Sequence, residues 1–188
     1  MTLENAEKLD DAYPMVQWMK DPNRQRYLFV GDYVDKKAYY LNVYYEEVRQ
    51  LIINGAAEIV RYYKVDGVHM DDYFYPGNDE AMDDVEFAAE KAKNPEYTLK
   101  EMRYESLSKL VSGIYSAVKA ENPNVLYGIA PAGNLNNVRK FYYADVDTWC
   151  STPGYIDYIM PQIYWGFDHP ICPFAETNQL WAALCCDS

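Results

Sequence analysis

Apolar positions along the chain fall into short runs whose period changes, and the period assigns the elements. Residues 27–42, "YLFVGDYVDKKAYYLN", read as two short extended pieces around a turn-prone stretch at 35–37. In "YYEEVRQLIINGAAEIVRYYK", Val48, Leu51, Ile52, Ile59, Val60 and Tyr63 recur at helical spacing, which predicts an amphipathic helix of about five turns. Gly55 lies inside it as a weak point. "VDGVHMDDY" alternates between faces as a strand does. The acidic span 77–96 follows a proline and holds a short helix around "DDVEFAAEKA". Thr98 with Glu101 forms a capping box that opens a further helix. The stripe of that helix is Leu107, Leu110, Val111, Ile114, Tyr115 and Val118, and it stops at "ENPN". "VLYGIAP" reads as a short buried strand, followed by a polar loop through Gly154. "YIDYIMPQIYW" reads as a strand ending in aromatics, and "FAETNQLWAALCCDS" as the start of another helix. Residues 1–26 carry no such pattern and read as irregular or peripheral.

Alternating strands and helices predict an α/β protein with parallel strands, and the near-continuous apolar runs "VLYGIAP" and "YIDYIMP" suit strands covered on both sides. No GxGxxG and no GxxxxGK[ST] follows any strand, so Rossmann-type nucleotide binding fails as a reading. Polar or aromatic clusters do recur at the strand C-termini: "DDYFYP", "APAGN" and "PQIYWG". In a (β/α)8 barrel those ends form the active-site face. A full barrel takes about 250 residues, whereas these 188 residues hold about four parallel strand–helix units. The expectation is a single domain over 1–188 that is a partial (β/α)8 TIM barrel, with a smaller open α/β sheet as the alternative.

Composition narrows the partners. Acids outnumber bases 29 to 17, giving a net charge of −12, so a phosphate backbone or an anionic membrane would be repelled. No apolar run approaches the ~20 residues of a membrane span, and "MTLENAEKLDDAYP" has no apolar core of a signal peptide. Two histidines and four cysteines without CxxC spacing give no zinc pattern, and the thiols read as free and partly buried. Twenty tyrosines and four tryptophans offer flat apolar faces with polar tips, a bias towards ligand binding. No cofactor is implied.

The densest chemistry lies in "VDGVHMDDYFYP", residues 65–76. Gly67, His69 and Asp71 share one strand face, with Asp71 at the rim, Asp72 beyond it, and Tyr73, Phe74 and Tyr75 expected as an aromatic wall. A carboxylate walled by aromatics suits glycoside chemistry: the ring stacks, and the acid stabilises or attacks an oxocarbenium-like centre. The same residue types equally suit a carboxylate accepting backbone bonds at a strand end, beside a satisfied core histidine. A metal held by His69, Asp71 and Asp72 lacks evident ligands from neighbouring strands.

That stretch resembles the signature strand of the glycosyl hydrolase-like family 10 proteins, (β/α)8-barrel enzymes acting on bacterial or plant glycans. "YYLNVYYEEVRQLI" is similar to the family segment before that strand, including Glu47, Val48 and Arg49. "LYGIAPAGN" and "DVDTWCSTPGYIDYIMPQIYWG" resemble the next two barrel strands. Together these cover residues 39–167 and look like the third to sixth strands of the family barrel. The resemblance implies a glycosidase that needs no cofactor, within a longer parent that is extracellular or at the cell surface. It also implies that this segment is inactive alone and self-associates through exposed barrel edges. The alternative is a non-catalytic carbohydrate-binding barrel.

Carried over residue by residue, Asp71 matches the family's catalytic acid, with Asp72 or a residue elsewhere as its partner. Tyr73 stands where the similar chitinase motif has its catalytic Glu, which disfavours a substrate-assisted mechanism. Gln162, Tyr164 and Trp165 match the sixth-strand cluster, where Gln hydrogen-bonds a hydroxyl and Trp stacks. Asn42 and Asn134 fall at other strand ends, where each touches sugar or caps a loop. Glu47 is a candidate second carboxylate, or a first-turn acid favouring the helix dipole. Val43 and Tyr44 replace the family's Pro-Gly, and Met102 and Tyr104 its Trp and second Arg, which leaves the loop geometry open.

Overall fold

The computed structural model describes residues 1–33, 35–71 and 74–185. It is a mixed α/β structure with two separate sheets. The first is an antiparallel hairpin of β1 (Leu28–Tyr33) and β2 (Lys36–Leu41), in register from Leu28↔Leu41 to Tyr33↔Lys36. The turn therefore falls before Lys36, earlier than residues 35–37. Asp32 faces Lys37 across the ladder and pairs with it at 2.7 Å, which suits a strand position for Lys37. Residues 1–26 carry two short helices, α1 (Leu3–Ala6) and α2 (Pro14–Lys20). Thr2 bridges to Ala38, and Trp18 of α2 packs with Leu28 and Val48 in a satellite cluster.

The second sheet is parallel, in the order β3 (Gly67–Asp71), β4 (Leu126–Ala130), β5 (Tyr158–Ile159). Among the described residues the parallel sheet thus has three strands rather than four, because the hairpin does not pair with it. β5 is far shorter than "YIDYIMPQIYW" predicts. Pro131 and Pro161 bring no N–H to the ladder, which resumes only as an isolated bridge between Ala132 and Gln162.

Two long helices cover one side of this sheet. In α5 (Leu99–Glu121) the capping box is complete: Thr98 Oγ1 accepts from the Glu101 backbone, and the Glu101 carboxylate accepts from the Thr98 N–H at 2.7 Å. Leu107, Leu110, Val111, Ile114 and Val118 bury its predicted stripe. In α3 (Glu46–Tyr62) the buried line runs through Val48, Ile52, Ile53, Ala56, Ala57 and Val60. Leu51, Ile59 and Tyr63, expected on the stripe, are exposed instead. The reason is close helix contact: Ile53 lies where a side chain at Gly113 of α5 would be, 2.5 Å from an added Cβ. The acidic span forms α4 (Asp84–Lys93), and the tail forms α8 (Phe174–Ala182).

The stretch after β4, expected as a polar loop, contains α6 (Leu135–Lys140) and α7 (Val146–Ser151). Leu135 with Val138, and Val146 with Trp149, are i,i+3 pairs that bury one face of each short helix. Trp149 donates its indole N–H to Ser108 Oγ of α5 at 2.8 Å, so even its polar edge is satisfied inside. Among the described residues no helix is long and apolar enough to cross a membrane. Cys172 is a buried free thiol and Cys185 an exposed one, Cys150 is half-buried, and Cys186 lies outside the described residues.

Candidate functional site

The alternation read in "VDGVHMDD" holds along β3. Val68 and Met70 pack against the core beneath the sheet, while Gly67, His69 and Asp71 point to the other, exposed face. Asp72 and Tyr73 lie outside the described residues. On β4 the residues of that face beyond Leu126 are small, Gly128 and Ala130, and they sit beside His69 and Asp71 in register. The consequence reaches across the sheet. With no side chain at Gly128, the ring of Tyr158 from β5 lies over it, 2.1 Å from where a Cβ would stand. Tyr158 thereby meets His69 on β3: hydroxyl to Nδ1 is 3.0 Å, and the rings stack at 5.7 Å and 13°.

One step nearer the C-terminal end the pattern repeats. Gln162 Nε2 spans β4 and donates to Asp71 Oδ1 at 2.6 Å and to the Ala130 carbonyl at 2.9 Å. Two acceptors and no donor face that end of the amide, which fixes its nitrogen there. Gly133 keeps the approach open, since a Cβ would fall 2.4 Å from the Gln162 carbonyl oxygen and 2.9 Å from the Trp165 ring. β3, β5 and the residues just beyond β5 thus place one carboxylate, one imidazole, one amide and one phenol on a common face.

The Asp71–Gln162 contact stands between two clefts. One, about 690 Å³, runs from Asp71 past Phe74 and Pro76 to the hairpin tyrosines Tyr33, Tyr39 and Tyr40. The other, about 180 Å³, is lined by Gln162, Asn134, Asn137, Tyr164 and Trp165. Tyr142 lines both. Phe74 holds a left-handed backbone (φ 70°), a conformation that costs a bulky residue about 1–3 kcal/mol. Its ring is held by an edge contact with Trp149 at 5.2 Å, which keeps the chain turned where it leaves β3.

The remaining expected site residues divide. Tyr164 is 81% exposed, and Trp165 stacks on His169 at 5.5 Å, so both lie in the smaller cleft beside Gln162. Asn134 is the N-cap of α6, accepting from the Asn137 N–H at 3.2 Å, with its amide nitrogen 3.1 Å from Cys172 Sγ; it borders the cleft with its polar atoms engaged. Asn42 is buried and bonded to Arg26 O and Tyr44 N, so its side chain locks a turn instead of facing a ligand. Tyr75 is only 3% exposed, and its hydroxyl donates to Asp83 at 3.3 Å, so it packs behind the cleft rather than forming an open wall. Glu47 is an exposed first-turn acid of α3, 3.7 Å from Arg24. Among the described residues no three His, Cys, Asp or Glu side chains gather as a metal-binding group. The sequence reading missed Tyr158 and Gly128. A glycine inside an apolar strand, which marks close approach of another group, was the signal available.

Two ion-pair networks brace the loops around this face. Arg103 and Asp83 are both buried and joined bidentately, and the guanidinium lies between the rings of Tyr75 and Tyr143 at 5.0 and 4.6 Å. Arg26 grips the buried Glu86 through two bonds of 2.7 and 2.6 Å, and Tyr45 donates to the same carboxylate. Burial pulls the Glu86 carboxyl up, but the bonds from Arg26 and Tyr45 outweigh it and hold the group below the ordinary glutamate value. A lowered folded-state value gives stability that is full above the ordinary value, ~4.3, and is lost as pH falls through the lowered one. Glu86→Gln is therefore expected to flatten the fall of melting temperature below about pH 4.5. Equal acid slopes for variant and wild type would remove Glu86 from that role.

A profile of the glycosyl hydrolase-like 10 family matches residues 4–184. The chain is 35% identical over 167 residues to glycosyl hydrolase YngK of Bacillus subtilis (strain 168), covering 77% of this chain and 32% of that protein. It is 31% identical over 153 residues to glycosyl hydrolase DigH of Escherichia coli (strain K12), covering 72% of this chain and 34% of that protein. The chain spans about a third of the length of these curated relatives.

Proposed function

The chain belongs to the glycosyl hydrolase-like 10 family, and we propose that it supplies part of the glycan-cleaving face of a (β/α)8 barrel, with Asp71 as a reacting carboxylate. The observation that carries this reading is the Asp71–Gln162 contact at the C-terminal ends of β3 and β5, between two aromatic-lined clefts. That end is where barrel enzymes do their chemistry. A carboxylate there, beside rings on which a sugar stacks, fits stabilisation of, or attack on, an oxocarbenium-like centre. The second carboxylate, the leaving-group acid, belongs to the parts of the barrel beyond this segment. The substrate is an oligo- or polysaccharide, and the parent acts outside the cell or at its surface. The uncovered face and edges of the parallel sheet pair with further barrel strands in the parent, or with a second copy when the segment stands alone.

Sugar binding is tested by calorimetric titration with a panel of neutral and charged oligosaccharides. Trp165→Ala is expected to weaken binding about tenfold, the size of one aromatic stacking contact. Unchanged affinity in that variant would move the sugar off the smaller cleft. Binding without turnover in the longer protein would favour the carbohydrate-binding barrel.

A further inference from the structure

We infer that Gln162 is a positioning residue that fixes which oxygen of Asp71 reacts. The inference rests on the reading of Asp71 as the reacting carboxylate and assigns its reacting oxygen. Gln162 Nε2 has two hydrogens, and both are committed, to Asp71 Oδ1 at 2.6 Å and to the Ala130 carbonyl at 2.9 Å. That side of Oδ1 is therefore occupied by a donor and closed to a substrate atom. The carbonyl of Ala130 cannot move, because it belongs to the central strand. The amide is therefore a fixed strut between strands rather than a mobile surface group. Its own backbone is anchored too: the Gln162 N–H donates to Pro131 O at 2.8 Å, and Gly133 packs against its carbonyl.

Oδ2 is then the oxygen presented to the sugar. The family resemblance implied only that Gln162 bonds a substrate hydroxyl. In the structure its donor end is already engaged, which leaves Oε1 alone for that purpose.

The test uses the longer protein that contains this segment, labelled with 15N at glutamine side-chain amides. The Gln162 amide protons are expected to be shifted and slowly exchanging, and to revert to ordinary glutamine behaviour in Asp71→Ala. In steady-state kinetics Gln162→Leu is expected to lower kcat about 100-fold with KM changed less than about threefold, the signature of lost alignment rather than lost binding. Gln162→Glu sets a carboxylate against Asp71, so its kcat is expected to recover as pH falls and the introduced carboxyl becomes a donor. A merely structural role would not move that pH profile. Wild-type behaviour of kcat in Gln162→Leu, or an amide signal typical of a solvent-exposed glutamine, would overturn the inference. A perturbed amide signal in a protein that cleaves no glycan would instead retain the strut and discard the hydrolase reading.

Discussion

Asp83→Ala is expected to cost about 3–5 kcal/mol of folding free energy, read from urea unfolding of the chain. Asp83 is 1% exposed and Arg103 not at all, and their bidentate bonds lie away from water. Burial alone would lower the Arg103 guanidinium value, but the bonds and charge of Asp83 outweigh it and keep the value raised. Without Asp83 the cation stays buried with one bond, to Asp79 O at 2.6 Å, and the faces of Tyr75 and Tyr143. Arg103 Nη1 has no hydrogen-bond partner even in the intact structure, so little reserve exists to absorb the loss. The paired substitution Asp83→Leu with Arg103→Met is expected to lie near wild type or above it, since two buried charges leave together. A loss under about 1 kcal/mol for Asp83→Ala would mean that water reaches the guanidinium.

The effect bears on the site. The pair ties the segment after β3 to α5, and that segment carries Phe74, Tyr75 and Pro76 along the larger cleft. Asp83→Ala is thus expected to loosen the cleft wall before it unfolds the sheet.

How much of this was legible in the residues follows from which forces set each part. The capping box at Thr98 and the alternation of β3 are local, and both stand in the structure as read. The stripe of α3 was not fully local. Gly113, 60 residues from Ile53 in the chain, lets Ile53 close in, and that contact rotates Leu51 and Ile59 to the surface. The helices α6 and α7 were hidden because each shows only one i,i+3 apolar pair, too little to establish a period. The site divides in the same way. Asp71 and His69 announced their shared face by parity along one strand. Their partners Gln162 and Tyr158 could not be inferred from spacing, since about 90 residues separate them and the contact depends on Gly128 and Ala130 having no bulk. Asn42 and Tyr75, which looked equally promising, are engaged by Arg26 and Asp83.

The central claim is that Asp71 reacts with a glycan at the ends of these strands. Its most direct test is reducing-end release from a glycan panel by the longer protein, wild type against Asp71→Asn. The substitution preserves size and can still accept from Gln162, so the fold and the strut survive while the charge is lost. Release is expected to fall about a thousandfold, about 4 kcal/mol of barrier, with circular dichroism and oligosaccharide affinity retained. Release that persists within about tenfold in the folded variant would contradict the account and place the reacting carboxylate elsewhere.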